Sequence, residues 1–365
     1  MLLTFAPVRS QRFALHFAIL TAVVLLMPLW VEWIGGYLGL ATKIVIFALF
    51  AIGFDLLLGF TGYLSFGHAM FFGVGAFGAA LWFRDVNLQV LPAILVGTAS
   101  AAILALALGF IIMRRSGIYF SVLTLAFGEM MHQLAYNSLE PITGGENGIQ
   151  ISESRYLFGL KLHDYSMFYF AAIFMLGFYF LARVIINSPF GLMMRGIKAN
   201  QNRLEYSGVH VLNYKVGSFM LSAIYAGVAG ALVATHDGTA SAETLHWTES
   251  GHVVVITILG GVGTLIGPFI GAGVIKYFEN VVSGIQFWDL GERWNLFLGF
   301  IFMMVLLFLP GGLMEAGKRL QAYWLDERSS FADKVKGLLR SKRTGPQSQS
   351  GTSASLSESQ EREGA

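Results

Sequence analysis

The chain has 365 residues, of which 55% are hydrophobic and 13% charged, and its formal net charge is +2. A soluble domain carries about twice that charged fraction, so the composition indicates an integral membrane protein. The small net charge does not favour nucleic-acid binding, and the lack of cysteine excludes disulfides, iron–sulfur clusters and cysteine-ligated zinc.

Hydropathy predicts an all-α, polytopic membrane protein, because each crossing of a ~30 Å hydrocarbon core needs roughly 17–25 apolar residues. About ten transmembrane helices are expected. They are placed at approximately 13–34, 40–60, 63–83, 88–112, 118–136, 165–186, 216–235, 250–262, 264–283 and 294–309.

Lysine and arginine cluster at alternate ends of these spans. The positive-inside rule predicts that the face carrying them is cytoplasmic, and ten spans place both termini on that face. The clusters are Arg9 and Arg12, Arg114 and Arg115, Arg195 to Arg203, and Lys318 and Arg319.

The second span contains two charged residues, Lys43 near its outer end and Asp55 nearer its inner end. A charge inside a bilayer costs ~3 kcal/mol or more unless it pairs or reaches the interface. We expect Lys43 to reach the outer interface. For Asp55 we favour a role in helix packing, with a proton relay as the alternative.

Polar residues of the third and fifth spans are candidates for lining a pathway through the membrane. Thr61, Ser65 and His68 lie near the inner part of the third span, and hydrogen bonding between helices is an equal alternative. Ser65 and His68 are three residues apart and should share a helical face. Glu129 and His132 are spaced in the same way in the fifth span, where they can pair or line an outer vestibule.

The longest polar interruption that carries concentrated positive charge is the stretch 188–213. Pro189 ends the preceding span, and a short helix is expected from Leu192 to Tyr206, before Gly208. Such a helix is suited to pressing on another protein, although an ordinary basic loop is an equal alternative. Its candidate contact residues are Arg195, Gly196, Lys198, Asn200, Glu205 and Gly208.

The spacing of the histidine and acidic residues in the last third of the chain predicts no metal site. His236, Asp237, Glu243 and His246 match no ligand pattern. Thr257 is a further candidate for the pathway lining.

Glycine is arranged with a clear period farther along the chain. Gly263, Gly267 and Gly271 form a double GxxxG ridge, which is typical of a helix-packing face. The hexamer at 59–64 also aligns weakly with that at 260–265, which indicates a parallel repeat with both copies at a cytoplasmic turn.

The end of the chain is predicted to leave the membrane after the Leu-Pro-Gly-Gly-Leu motif at 309–313. Apolar and basic residues alternate at helical spacing over 313–343, which predicts an amphipathic cytoplasmic helix lying on the inner leaflet. The serine-, glycine- and glutamate-rich tail at 344–365 is expected to be disordered.

Several of these segments resemble one family, the M-type permeases of branched-chain (hydrophobic) amino acid ABC importers. The similar segments are the glycine-rich run at 59–79, the outer loop at 141–149, the Gly-Ile-Lys-Ala-Asn of 196–200, and the run at 257–268. The similarity covers roughly residues 40–313. It implies an ABC importer permease fold over 1–312, with 188–213 as the loop that couples to an ATPase.

The resemblance also implies the function and the partners. The chain would be the membrane-spanning subunit of an ATP-driven importer for branched-chain or other hydrophobic amino acids, in a bacterial inner membrane. It would have no catalytic residue and bind no cofactor, because ATP and magnesium belong to partner subunits. Those partners are a second, H-type permease, two ATPase subunits and a periplasmic solute-binding protein, besides the lipid bilayer.

Other functions remain open from the residues themselves. A permease of the same family could carry urea or short amides. An ion-coupled secondary carrier could use Asp55, and a membrane enzyme could use Glu129 with His132 or Ser65 with His68. The enzyme is disfavoured because neither pair has a third orienting group nearby in the sequence.

Overall fold

The computed structural model describes residues 11–151, 155–157, 159–283, 299–300, 303–304, 307 and 311–317. The chain divides into two units, Met1–Ala316 and Gly317–Ala365, and every element below belongs to the first. The predicted tenth span at 294–309 and amphipathic helix at 313–343 lie largely outside the described residues, and the tail at 344–365 and the two termini lie wholly outside them.

Apolar stretches fold into helices, as hydropathy predicts. The helices are α1 Gln11–Leu25, α2 Met27–Trp33, α3 Leu38–Asp55, α4 Ala69–Asp85, α5 Val90–Ile112, α6 Ile118–Gln133, α7 Glu140–Thr143, α8 Asp164–Asn187, α9 Pro189–Tyr206, α10 Val211–Asp237, α11 Trp247–Gly260 and α12 Gly267–Ser283. π-Helical turns extend α3 over Leu56–Thr61 and α6 over Leu134–Ser138, and a 3₁₀ turn covers Ala242–Leu245.

Four short strands form two antiparallel pairs within the connections. β1 (Ile149–Gln150) pairs with β4 (Thr239–Ala240), with Ile149 opposite Ala240. β2 (Tyr156–Leu157) pairs with β3 (Leu160–Lys161). The first pair ties the loop before α8 to the end of α10.

Within the described residues, four helices are long and apolar enough to cross a membrane: α3 with its π turn, α5, α8 and α10. A fifth would be the pair α1 and α2, which bends by 56°. Pro28 stands in the first turn of α2, where a proline is tolerated because that position needs no intrahelical donor. The structure therefore supports a helical membrane bundle but does not establish ten spans.

α10 is the centre of the bundle and packs against α3, α4 and α5. Lipid supplies no hydrophobic drive between helices, so their association depends on van der Waals packing. Small residues strengthen that packing because they let two helix backbones approach closely. A Cβ atom on Gly230 of α10 would overlap the carbonyl group of Phe72 on α4, and one on Gly75 would overlap the backbone of Gly227.

Helix α10 runs in the opposite direction to α3 and α8. α9 joins the end of α8 to the start of α10, and it contacts the π turn that ends α3. The start of α3 lies at the opposite end of the bundle, where Lys43 pairs with Asp237 at the end of α10, at 3.2 Å. We call these two ends the α9 end and the distal end.

Candidate functional site

The helix predicted over Leu192–Tyr206 is present as α9, which ends at Tyr206 but begins three residues earlier, at Pro189. Ser188 is its N-cap, with Oγ accepting a hydrogen bond from the Gly191 amide at 3.4 Å, and Pro189 occupies the first helical position. Gly208 follows the helix with φ +82°, a left-handed conformation that glycine adopts without steric cost. The sequence therefore sets both ends of this helix.

α9 is kinked at Asn200, whose φ of −166° and ψ of 100° are not helical. The Asn200 Oδ1 atom accepts a hydrogen bond from the Arg203 amide at 3.0 Å, so this side chain caps a second short helical segment. Leu204 folds back, and a Cβ atom on Gly196 would lie 3.0 Å from its Cδ1 atom. The kink was missed from sequence, although asparagine within a helical pattern is a known capping signal.

The inner side of α9 is fastened to the bundle. Gly191, Met194 and Ile197 are buried. Arg195 donates to the Ile186 carbonyl at 2.7 Å, and Lys198 Nζ donates to the Gly59 carbonyl at 2.6 Å. Both cations were predicted to contact a partner; each also has a partner within the chain, Arg195 is partly buried, and Lys198 remains exposed.

The outer side of α9 carries exposed residues, and four of them are here called the coupling face: Leu192, Arg203, Glu205 and Tyr206. Leu192 is 57% exposed and Tyr206 is 90% exposed. Glu205 accepts from the Gln201 amide nitrogen at 2.8 Å, and Gln201 in turn accepts from the Tyr63 hydroxyl at 2.9 Å. The two apolar side chains were not singled out from the sequence, because burial decides their significance.

Asp55 is fully buried at the end of α3 and has backbone partners from a distant turn. Its Oδ1 atom accepts from the Gly263 amide at 2.6 Å, and Oδ2 accepts from the Leu265 amide at 3.3 Å. Hydrogen bonds of this kind offset the cost of removing a carboxylate from water. The contacts favour the packing role of Asp55 and tie α3 to the connection between α11 and α12.

The two hexamers of the weak repeat meet at the same point. A Cβ atom on Gly59 would lie 2.6 Å from the Gly263 nitrogen. Since Lys198 is bonded to the Gly59 carbonyl, one backbone position links α9, the end of α3 and the turn before α12. We call Asp55, Gly59, Lys198 and Gly263 the junction.

The predicted ridge of three glycines is wrong for Gly263. This residue lies in a turn, with φ +76°, and α12 begins only at Gly267. Between the end of α11 and the start of α12 the backbone is not helical, because Gly261 and Gly263 both adopt positive φ. Gly267 and Gly271 do lie on α12, and Cβ atoms there would overlap the backbone of α11 at Gly260 and Ile256.

The expectation that Ser65 and His68 share a helical face is also wrong, because residues 62–68 are not helical and α4 begins at Ala69. Gly62 has φ +86°, which ends the π turn. Ser65 is buried. His68 Nε2 lies 2.8 Å from Ser222 Oγ, and Ser222 donates to the Gly53 carbonyl at 2.6 Å.

The other candidates for the pathway lining also bond within the chain. Thr61 donates to the Leu56 carbonyl at 3.3 Å and Thr257 to the Val253 carbonyl at 2.8 Å, and both side chains are buried. Thr61 and Thr257 bond to carbonyls five and four residues earlier in their own helices, and only the His68–Ser222 contact is of the kind expected from hydrogen bonding between helices. In this conformation Thr61, Ser65, His68 and Thr257 are all closed off from solvent.

Glu129 and His132 lie near each other at the distal end, with Oε2 and Nδ1 4.0 Å apart. His246 Nε2 is also 4.0 Å from Glu129 Oε1, and that oxygen accepts from the Trp247 amide at 3.3 Å. Glu129 therefore joins α6 to the start of α11. No group of three or more possible metal ligands occurs among the residues that the structure describes.

Comparison with known proteins identifies the family. Residues 36–308 match the family described as the branched-chain amino acid transport system permease component. The chain belongs to this family. The resemblance noted in the sequence is confirmed, and the permease is a multi-pass membrane protein. Membership implies ATPase and solute-binding partners.

Among curated relatives, two LivM permeases agree with that assignment, and a third relative is a permease for a sugar. The permease is 27% identical over 320 residues to the high-affinity branched-chain amino acid transport system permease protein LivM of Escherichia coli (strain K12), covering 81% of this chain and 74% of the relative. A probable LivM of Methanocaldococcus jannaschii is 25% identical, over 59% and 67%. The ribose import permease protein RbsC of Bacillus subtilis (strain 168) is 27% identical, over 42% and 51%. No solved structure gives a significant match.

Proposed function

We propose that the permease is the membrane-spanning subunit of an ATP-driven importer for branched-chain or other hydrophobic amino acids. It works beside an H-type permease, two ATPase subunits and a periplasmic binding protein in a bacterial inner membrane. The α9 end faces the cytoplasm, as do both termini. ATP and magnesium stay on the partner subunits, and the permease performs no chemistry.

The observation that carries the proposal is the junction. α9 continues covalently from α8 into α10, and through Lys198 and Gly59 it also reaches α3 and the α11–α12 turn. A movement of α9 imposed by a closing ATPase is therefore transmitted to both halves of the chain. Packed helices respond to such a push as rigid elements, which suits a pathway that opens alternately to the two sides.

The deciding experiment is uptake into proteoliposomes that contain the permease with its H-type and ATPase partners. Leucine accumulation is expected only when ATP is supplied together with the binding protein. Accumulation driven by a proton or sodium gradient without ATP would support the secondary carrier instead. ATP-driven transport of urea or acetamide, but not of leucine, would support the amide permease.

The coupling face yields a second prediction. Glu205→Arg reverses a charge on the exposed side of α9, and we expect it to weaken co-purification of the ATPase while membrane insertion stays unchanged. Lys198→Met is the comparison variant on the same helix, because the Lys198 Nζ atom is bonded to the Gly59 carbonyl in the junction. It should keep the ATPase bound but lower uptake per ATP hydrolysed. Unchanged co-purification of the Glu205→Arg variant would count against docking on this face.

A further inference from the structure

A cavity of about 260 Å³ lies at the distal end of the bundle, between α3, α4, α10, α11 and α12. It is on the opposite side from the junction, since Lys43 near the start of α3 and Asp237 at the end of α10 both line it. Pockets for drug-sized ligands range from ~300 to 1,000 Å³. The cavity is therefore of a size that suits a smaller solute, such as one free amino acid.

Charges of both signs line this cavity. Lys43 Nζ lies 3.2 Å from Asp237, and Lys276 Nζ lies 2.8 Å from Glu279. Lys276 is buried, and its Nζ atom is 3.7 Å from the centroid of the Phe47 ring, a cation–π contact. Lys43 and Asp237 are both partly exposed, so the expectation that Lys43 reaches the outer interface stays open beside this ion pair.

Glu249 adds a third carboxylate to these two ion pairs. Its nearest partner among the described residues is His252, at 3.5 Å from Nδ1 to Oε2. Both lysines act electrostatically on Glu249, but neither is within ion-pair distance of it in the described part of the chain. Lys276 is buried, and the other four charged side chains of the cavity are partly exposed. Burying a charge is costly unless it is paired, so the side chains that line this cavity favour a charged occupant over an apolar one.

The remaining wall is apolar and lies beside the charges. Leu40 and Phe47 of α3, Phe72 of α4 and Val233 of α10 contribute it. The rings of Phe47 and Phe72 are 5.8 Å apart and both are buried. The cavity thus combines three carboxylates, two ammonium groups and a hydrocarbon surface within the span of a small molecule.

We infer that this cavity is an entry site for a zwitterionic α-amino acid with a hydrophobic side chain. The ammonium group binds Glu249, the carboxylate binds Lys43 in competition with Asp237, and the side chain lies against Phe47 and Phe72. The inference rests on the proposed function and adds to it a site within the permease. Urea and short amides carry no charge and would leave both ionic positions unused.

The test uses photo-leucine, a diazirine analogue of leucine, on the purified complex in lipid nanodiscs. After irradiation, mass spectrometry should find the label in α3 or α4, close to Phe47 or Phe72, and excess leucine should prevent it. Urea should not compete. Glu249→Gln and Lys43→Gln should each lower the labelling roughly tenfold or more, as expected when a charged hydrogen bond is lost. Asp85→Asn is the control, because this exposed carboxylate pairs with Arg84 outside the cavity.

Two results would overturn the inference. In the first, the wild-type complex is labelled only at residues outside the cavity. In the second, both variants elute as monodisperse protein and neither substitution lowers the labelling. Uptake measured on the same preparation keeps the two proposals separate. ATP-driven uptake without labelling of the cavity would refute the entry site but support the importer. Labelling of the cavity that leucine prevents, without ATP-driven uptake, would support the entry site but refute the importer.

Discussion

Asp55→Ala is expected to abolish ATP-driven uptake and to destabilise the permease. The substitution leaves the amides of Gly263 and Leu265 without their carboxylate partner in a buried turn. Loss of a hydrogen bond to a charged group costs about 1.5–3 kcal/mol, and two are lost here. Uptake into proteoliposomes and the thermal unfolding temperature of the purified protein measure the two effects.

Asp55→Asn separates the two roles considered for this residue. The amide oxygen can still accept the bond from Gly263, so a packing role predicts an intermediate loss of uptake. A proton or ion relay needs the titratable group and predicts a loss as complete as with alanine. Asp85→Asn, at an exposed site, should behave as wild type. Wild-type uptake and stability of Asp55→Ala would refute the role of the junction.

Gly230→Ala is expected to have a large effect on stability. The added methyl group would meet the backbone of Phe72, including its carbonyl carbon at 2.7 Å, and backbone cannot move aside as a flexible side chain can. Overpacking of this kind costs about 1–3 kcal/mol. The measurement is the unfolding temperature of the variant in detergent or nanodiscs, compared with wild type.

Gly177→Ala on α8 is the matched control, because among the described residues no atom beyond the adjoining helix backbone lies within 4 Å of its added Cβ. Alanine is the better helix former by roughly 0.5–1 kcal/mol, so this variant should be as stable as wild type or more stable. If the two variants lose stability equally, the close approach of α10 to α4 does not determine the packing of the bundle.

Local signals in the sequence were sufficient to predict helix α9 and its end at Tyr206, although its start was expected at Leu192. Pro189 sets its start and Gly208 follows its end, and both act within one or two turns. The sequence also gave grounds for the family, through the glycine-rich runs at 59–79 and 257–268. Such runs reflect close backbone contacts, which few other residues permit.

Features that depend on distant contacts could not be predicted in the same way. Asp55 and Gly263 are 208 positions apart, and only the fold shows that the carboxylate accepts from that turn. Hydropathy likewise placed residues 63–68 in the third span, because the apolar run continues through them. The positive φ of Gly62 breaks the helix there, and hydropathy carries no information on backbone conformation.

The most direct test of the account is the side of the membrane on which α9 lies. The chain has no cysteine, so Asn202→Cys on α9 and Asn87→Cys after α4 each provide a unique thiol at an exposed position. A membrane-impermeant maleimide added to intact bacterial spheroplasts should label Asn87→Cys but reach Asn202→Cys only after the membrane is permeabilised. Labelling of Asn202→Cys in intact spheroplasts would place α9 outside the cell, where no ATPase could move it, and would contradict the account.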